Sequence, residues 1–364
     1  MATTEPQGQP NRAWSAKKLW RRLAQWLFFA AWTLVLVWVG GVLIFGPVCH
    51  GWRLGLIVLG AASVAFVFWR WGFRRASNLA ATGIAWSTAA NCLWTLVPSD
   101  DRQWVAEQSR VPEIQFDHGS PKVTIESFRD FRYNNSVPTQ ESFGRFEFEL
   151  LQIRRAWFVV QYFIEAEFIA HTLLCFEVHP EKESKESDEQ SRFFAVSVEV
   201  RCEQNEQFGV MTGIYRNHEL IYVVGDERDL LGKRIVDRPG DRVYLYQINA
   251  EPAQLQEFFC KIANRIDELK HRPEFYHTLF NNCTNNIAFH ANQLRRNPLD
   301  TGSLRMVFSG FSDRLAFENQ LIGRPGETFE DLKSRSRVDV QGELLPLDES
   351  FSLKLRRILD QQAK

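Results

Sequence analysis

The chain has 364 residues, room for one large domain or two ordinary ones, and carries 43 basic against 44 acidic side chains. That balance speaks against a nucleic-acid binder, which would show a basic surplus. The hydrophobic content of 45 % averages two unlike parts: residues 1–98 are rich in Leu, Val, Ala and Trp with acidic residues almost absent after Glu5, whereas residues 99–364 are charged throughout.

In chain order, residues 24–46 come first, an uncharged apolar run of about 23 residues. As a helix it is long enough to cross a hydrocarbon core of about 30 Å. Residues 54–69 form a shorter run between Arg53 and the group Arg70, Arg74 and Arg75. Residues 79–97 form a weaker third run that contains Ser87, Thr88 and Asn91 and ends at Pro98. The first run is too long for a cleaved signal peptide, and no small-x-small pattern follows it cleanly. Basic residues stay cytoplasmic. Arg12, Lys17, Lys18, Arg21 and Arg22 precede the first run, and Arg53 alone separates it from the second. The expectation is an N-terminal membrane domain, residues 1–98, of about three transmembrane helices, with the N-terminus inside and everything after Pro98 outside the cytoplasm. A third segment lying flat would instead leave the following domain in the cytoplasm.

The polar part reads as α+β. Strands are expected at 122–125, 145–150, 156–164, 170–178, 193–201, 220–224 and 243–248. The run 156–164 is apolar enough to be a central strand buried on both faces, and the charged stretch 181–192 reads as a solvated hairpin loop. Residues 253–269 carry Leu255, Phe258, Phe259, Ile262, Ile266 and Leu269 at helical spacing. A second helix should run from Cys283 to about Arg295. Residues 301–364 read as an irregular polar extension with one late helix at 350–359.

Two residues carry the chemistry. Asn282 is a good N-cap, so Cys283 falls in the first turn of a helix. There the positive end of the helix dipole favours a thiolate, the nucleophilic form, and backbone N–H groups without helical acceptors can meet an oxyanion. His171 lies in an apolar strand, where an imidazole has no packing advantage. A strand histidine facing a helix-start cysteine is a papain-like arrangement, and the order histidine first, cysteine last makes it the permuted form. Glu199 is the candidate to orient His171, against a plain salt bridge to Arg201 or another basic residue. Ser197 and Arg201 share its strand face. Tyr222 and Asp226 stand between lining a pocket and serving as an edge-strand residue and a turn residue. Cys175, Cys202 and Cys260 have packing readings, and a Cys175–Cys202 disulfide stays open. No metal motif, Walker loop or G-x-S-x-G elbow occurs, so neither metal nor cofactor is implied.

Five stretches, PSDDRQW (98–104), AHTLLCFEV (170–178), SVEVR (197–201), ELIYVVGDERDLL (219–231) and RPEFYHTLFNNCTNNIAFHA (272–291), together resemble the Lnb-type N-terminal periplasmic domain family of bacterial membrane proteins. The resemblance spans about residues 20–300, with the motifs in order. It implies Cys283 of N-N-C-T and His171 of A-H-T as the catalytic pair. Asn282, Thr284, Tyr222 and His277 are the candidate substrate-binding residues. His277 departs from the pattern, where Asn or another polar residue is expected. The implied fold is a permuted papain-like antiparallel sheet packed with helices, with residues 99–300 the catalytic domain in the periplasm and the anchor in the inner membrane. The implied activity is N-acylation of lipoproteins, a membrane phospholipid being the acyl donor and a lipoprotein N-terminus the acceptor. The alternatives are a papain-like amidase or peptidase on cell-wall peptides and a non-enzymatic membrane-anchored binding module. An apolar groove beside Cys283 favours lipid, and a narrow polar cleft favours peptide.

Overall fold

The computed structural model describes residues 12–46, 97–117, 119–134, 137–164, 166–179, 191–236, 240–339 and 345–362, with positions 55, 60, 62, 82–84, 86 and 87 besides. The chain divides into two compact units, Met1–Val97 and Pro98–Lys364.

In the first unit, helix α1 (Arg12–Phe45) runs for 34 residues. Leu19, Trp20, Trp26, Leu27, Leu34, Val37 and Ile44 are exposed along it. Among the described residues no helix is long and apolar enough to cross a membrane. The side chains of Phe28, Phe29, Trp32, Leu36 and Leu43 within α1 lie outside the described set, as do most of runs 54–69 and 79–97. The three crossings expected from hydropathy are therefore not established.

The second unit is built on one sheet, a mixed α+β arrangement with mostly antiparallel strands. Its strands are β1 (Glu113–Phe116), β2 (Lys122–Arg129), β5 (Phe143–Glu149), β6 (Ile153–Phe163), β7 (Ala166–Val178), β8 (Arg192–Arg201), β9 (Glu219–Asp226) and β10 (Arg242–Gln247). β3 (Arg132–Asn134) and β4 (Val137–Gln140) pair separately as a small ribbon. The order is β1-β2-β9-β8-β7-β6-β10, with β5 on β2. Every pair is antiparallel except β2 with β9. Central β6, β7 and β8 read as nearly continuous apolar runs because both sheet faces are covered, which removes the usual alternation of apolar and polar positions.

The helices of this unit, in chain order, are α2 (Val210–Ile214), α3 (Lys233–Val236), α4 (Pro252–His271), α5 (Cys283–Leu294), α6 (Leu304–Val307), α7 (Ser312–Glu318), α8 (Phe329–Arg335) and α9 (Phe351–Gln362). On one face α4 and α5 bury Phe258, Phe259, Ile262, Cys283 and Ile287 against Phe158, Leu174, Phe176 and Phe194. On the other, Leu230, Leu231, Ile235, Phe351 and Leu355 cover Trp157, Leu173, Cys175 and Leu245. Each face carries a hydrophobic core, and the sheet is the shared wall.

Residues 304–362 depart from the expected irregular extension. Three short helices, α6 to α8, precede the expected late one. The segment contributes Ala316, Ile322 and Leu332 to the first core and Val338, Leu345, Phe351 and Leu355 to the second. It passes from one face to the other around β10, where Leu245 N donates to Ser336 O at 2.8 Å and Val338 N to Val243 O at 2.9 Å. That pairing covers an otherwise open sheet edge. Most of the expected loop at 181–192 lies outside the described residues. Cys175 and Cys202 are both free thiols. β7–β8 pairing sets Cys175 opposite Ala195, seven residues short of Cys202, too far for a disulfide.

Candidate active site

The site begins with a gap in the sheet. β7 and β8 pair from Val178–Arg192 as far as Leu173–Ser197. β7 continues back to Ala166 and β8 forward to Arg201 without further pairs between them. The β7 backbone groups that would have met β8 find other partners. Thr172 N donates to Cys283 Sγ at 3.4 Å, and Ala170 N donates to Ser309 Oγ at 2.7 Å. The Cys283 thiol in turn lies 3.9 Å from Ala170 O. A thiol and a hydroxyl thus take the place of a missing strand. Gly310 allows this close approach: a Cβ there would lie 2.1 Å from Glu167 O.

Cys283 is the first residue of α5, as expected, and is 4 % exposed. Asn282 caps the helix, its side chain accepting from Asn285 N at 2.9 Å and donating to Thr278 O at 2.7 Å. These bonds fix the turn that carries the thiol.

His171 sits on β7, as expected, but not on the face that packs against α5. Strand side chains alternate. Ala170 and Leu174 belong to the core beneath α5, whereas Leu173 and Cys175 belong to the opposite core, and His171 shares the parity of the second pair. Its partners are there: Nε2 lies 2.9 Å from Ser197 Oγ and 3.2 Å from Arg234 Nη2 of α3. The two residues therefore come from opposite faces of the sheet, and they line one cavity of about 470 Å³ at the gap.

Glu199 lines the same cavity, yet its nearest cationic partner is a guanidinium. Arg234 Nη2 donates to Glu199 Oε1 at 2.7 Å, and Gln108 Nε2 lies 3.4 Å from Oε2. Arg234 bridges Glu199 and His171. A guanidinium only donates, so its contact with Nε2 is a hydrogen bond when Nε2 carries a lone pair; the Ser197 hydroxyl suits either tautomer. Burial alone would raise the Glu199 carboxyl, but the charges of Arg234, Arg129 and His171 outweigh it and hold the group well below the usual carboxylate range. Arg129 is itself held by two bonds of 2.9 Å to buried Asp229. Behind the imidazole lies a row of alternating charges.

The other expected site residues are distributed. Asn282 lines the cavity. Thr284 faces the core beside it, 3.1 Å from Thr172 Oγ1. Tyr222 is buried, its hydroxyl 3.2 Å from Asn286 Oδ1 and 2.8 Å from His290 Nε2. His277 accepts from Leu279 N at 3.2 Å and packs on Phe280 within its own turn. None of these three is among the residues lining the cavity. Sequence reasoning missed Arg234 and Ser309. Arg234 sits in the KRIV run of a short helix with no motif around it, and Ser309 in a segment read as extension.

The cavity walls are mostly apolar. Phe163, Phe168, Ile169, Phe208, Val210 and Phe308 line it, and Phe168, Phe208 and Val210 are also exposed at 51, 42 and 38 %. Polar side chains line it as well, among them Gln161, His171, Glu199, Arg234, Asn282 and Cys283.

Residues 139–310 match the family model described as the Lnb N-terminal periplasmic domain, a segment that contains His171, Ser197, Glu199, Arg234 and Cys283. No curated protein and no solved structure matches the chain.

Proposed function

We propose that this chain, whose residues 139–310 belong to the Lnb N-terminal periplasmic domain family, is a membrane-anchored thiol acyltransferase acting on lipid esters, with lipoprotein N-termini as acceptors. The observation that carries the reading is the cavity: a helix-start thiol and a histidine line one pocket together with Phe163, Phe168, Ile169, Phe208, Val210 and Phe308. A hydrocarbon chain fits such walls, whereas a peptide would leave its backbone groups without partners there.

In the first step Cys283 Sγ attacks the ester carbonyl of a phospholipid. His171 takes the thiol proton and returns it to the departing glycerol oxygen, leaving a thioester and a single-chain lysolipid. In the second, the α-amine of an acceptor attacks the thioester carbonyl. His171 takes the amine proton, and it passes to the released Cys283 sulfur as the amide forms. The N–H groups of Cys283 and Thr284, at the first two positions of α5 and without an acceptor within the helix, supply donors for the oxyanion in both steps. Glu199 acts through Arg234. A lone guanidinium beside the imidazole would oppose its protonation; paired with an ionised carboxylate it does so far less.

The proposed membrane anchoring rests on the uncharged run 24–46, which lies in α1 up to Phe45 and is preceded by Lys17, Lys18, Arg21 and Arg22, and on the exposed apolar residues of that helix. Together with the family, these features support an inner-membrane protein with its catalytic unit in the periplasm. Anchoring raises the effective concentration of two lipid substrates held in the same plane. The test is mass spectrometry of lipoproteins from cells with the gene, without it, and with Cys283→Ala. N-acylation should be present only with the parent gene; unchanged acylation in all three would overturn the reading.

A further inference from the structure

A second cavity, of about 420 Å³, lies on the other side of the first turns of α5. Thr284, Ala288 and Ala291 form its α5 wall. Its depth is made by Phe158, Leu174, Leu255, Phe258 and Met306, of which Leu174, Leu255 and Met306 are each 2 % exposed. Its rim is polar, with Gln254 and Gln320 exposed to solvent. The mechanism above makes no use of it.

Size, lining and charge together narrow the occupant. An apolar cavity of about 150 Å³ stays dry and takes up benzene, six carbons. On that scale the present volume holds on the order of 16 carbons, the size of one fatty-acyl chain and too small for two. The rim carries one cation, Arg295, at the C-terminal end of α5. Its bonds run to neutral groups, Nε to Asn297 O at 3.0 Å and Nη2 to Asn319 Oδ1 at 3.4 Å. No carboxylate pairs with it among the described residues, so an anionic head would be its first charged partner.

We propose that this cavity binds a single-chain anionic amphiphile, its tail between α5 and the sheet and its head on Arg295. Two sources share that chemistry, a free fatty acid and a lysophospholipid, the latter being what a phospholipid becomes after giving up one acyl chain. Binding does not require Cys283 to be a nucleophile.

The experiment is photocrosslinking of the full chain in lipid nanodiscs with two probes, a 16-carbon diazirine fatty acid and a diazirine lysophospholipid, followed by peptide mapping. At least one probe should label residues of α5 between Thr284 and Leu294 or the peptide containing Met306, and labelling should persist in Cys283→Ala. Labelling by one probe alone identifies the source, and labelling by both means that the head is read only as an anion. Ala291→Trp, which fills the cavity, should abolish labelling. Arg295→Gln, on the rim and harmless to the core, should cut capture of the fatty acid about tenfold, the scale of one lost charged contact, while leaving capture of the uncharged 16-carbon alcohol analogue unchanged. Labelling by neither probe in folded protein, labelling confined to Phe168 and Phe208 of the catalytic cavity, or capture of the fatty acid indifferent to Arg295→Gln would each overturn the proposal. Loss of acyl transfer in Cys283→Ala with labelling intact separates this site from the catalytic one.

Discussion

At the scale of single residues, Glu199 and Arg234 behave as one unit behind His171. Removing Glu199 leaves a buried guanidinium uncompensated beside the imidazole, which lowers the imidazole's proton affinity. A base must be deprotonated to act, so the acid limb of the pH–rate profile should move to lower pH. Glu199→Ala should cut acyl transfer by about 10²-fold or more. Glu199→Gln keeps an acceptor for Arg234 Nη2 but not the charge, so it should move the acid limb as the Ala variant does while losing less rate. A pH–rate profile of the three proteins checks this, and an Ala variant at the parent's rate and pH dependence would remove Glu199 from the mechanism. A second titrating group has the opposite sign. Burial, with Asp130, Glu227 and Asp229 nearby, pushes Asp226 from 3.8 up to about 7. The folded state therefore holds a proton there that the unfolded chain has released, and stability falls as pH rises through that window. Asp226→Asn, which keeps an acceptor for Arg228 N, should raise the melting temperature at pH 8 and change it little at pH 4. Thermal unfolding at the two pH values reads the difference.

At the scale of elements, the first turn of α5 depends on Asn282. Asn282→Ala loses the cap, worth about 1 kcal/mol, and leaves Thr278 O without its 2.7 Å donor. Asn282→Asp keeps the cap and loses only the second bond. Denaturant midpoints should rank parent, Asp, Ala, and acyl transfer should follow the same order because the cap positions the thiol; equal midpoints would detach the cap from stability. Elements of this kind were legible in the sequence. The strands at 156–164, 170–178 and 193–201 and the helices at 253–269 and from Cys283 announce themselves by long apolar runs or a full helical stripe, and each appears within a few residues of its expected bounds. Helices α6 to α8 did not, because none exceeds seven residues and so short a segment shows no period. The pairing of Glu199 with Arg234 was equally hidden. It joins residues 35 apart in sequence, through a fold in which a short helix crosses the far face of the sheet. The face of the sheet on which His171 lies was readable in principle from strand parity, once Ala170 and Leu174 were placed beneath α5.

At the scale of the whole molecule, the segment after residue 300 is part of both cores rather than an appendage. It buries Leu332 on one face and Phe351 and Leu355 on the other, and Ser309 of the same segment completes the site at Ala170 N. A chain ended at residue 300 should be degraded by protease under conditions where the full chain resists; a resistant, active truncation would contradict this packing. The same organisation explains the placement of the chemistry. The sheet separates two cores and β7 and β8 part beside the site, so a thiol from one side and a histidine from the other line one pocket.

The most direct measurement is the covalent intermediate. The full chain, reconstituted with phospholipid and no acceptor, is digested and each cysteine peptide is weighed. The expected result is an acyl adduct on Cys283, released by hydroxylamine, strongly reduced in His171→Ala and discharged when a peptide bearing the N-terminal lipoprotein cysteine is added. Turnover of donor lipid with Cys283 unmodified throughout, or an adduct confined to Cys175, Cys202 or Cys260, would contradict it.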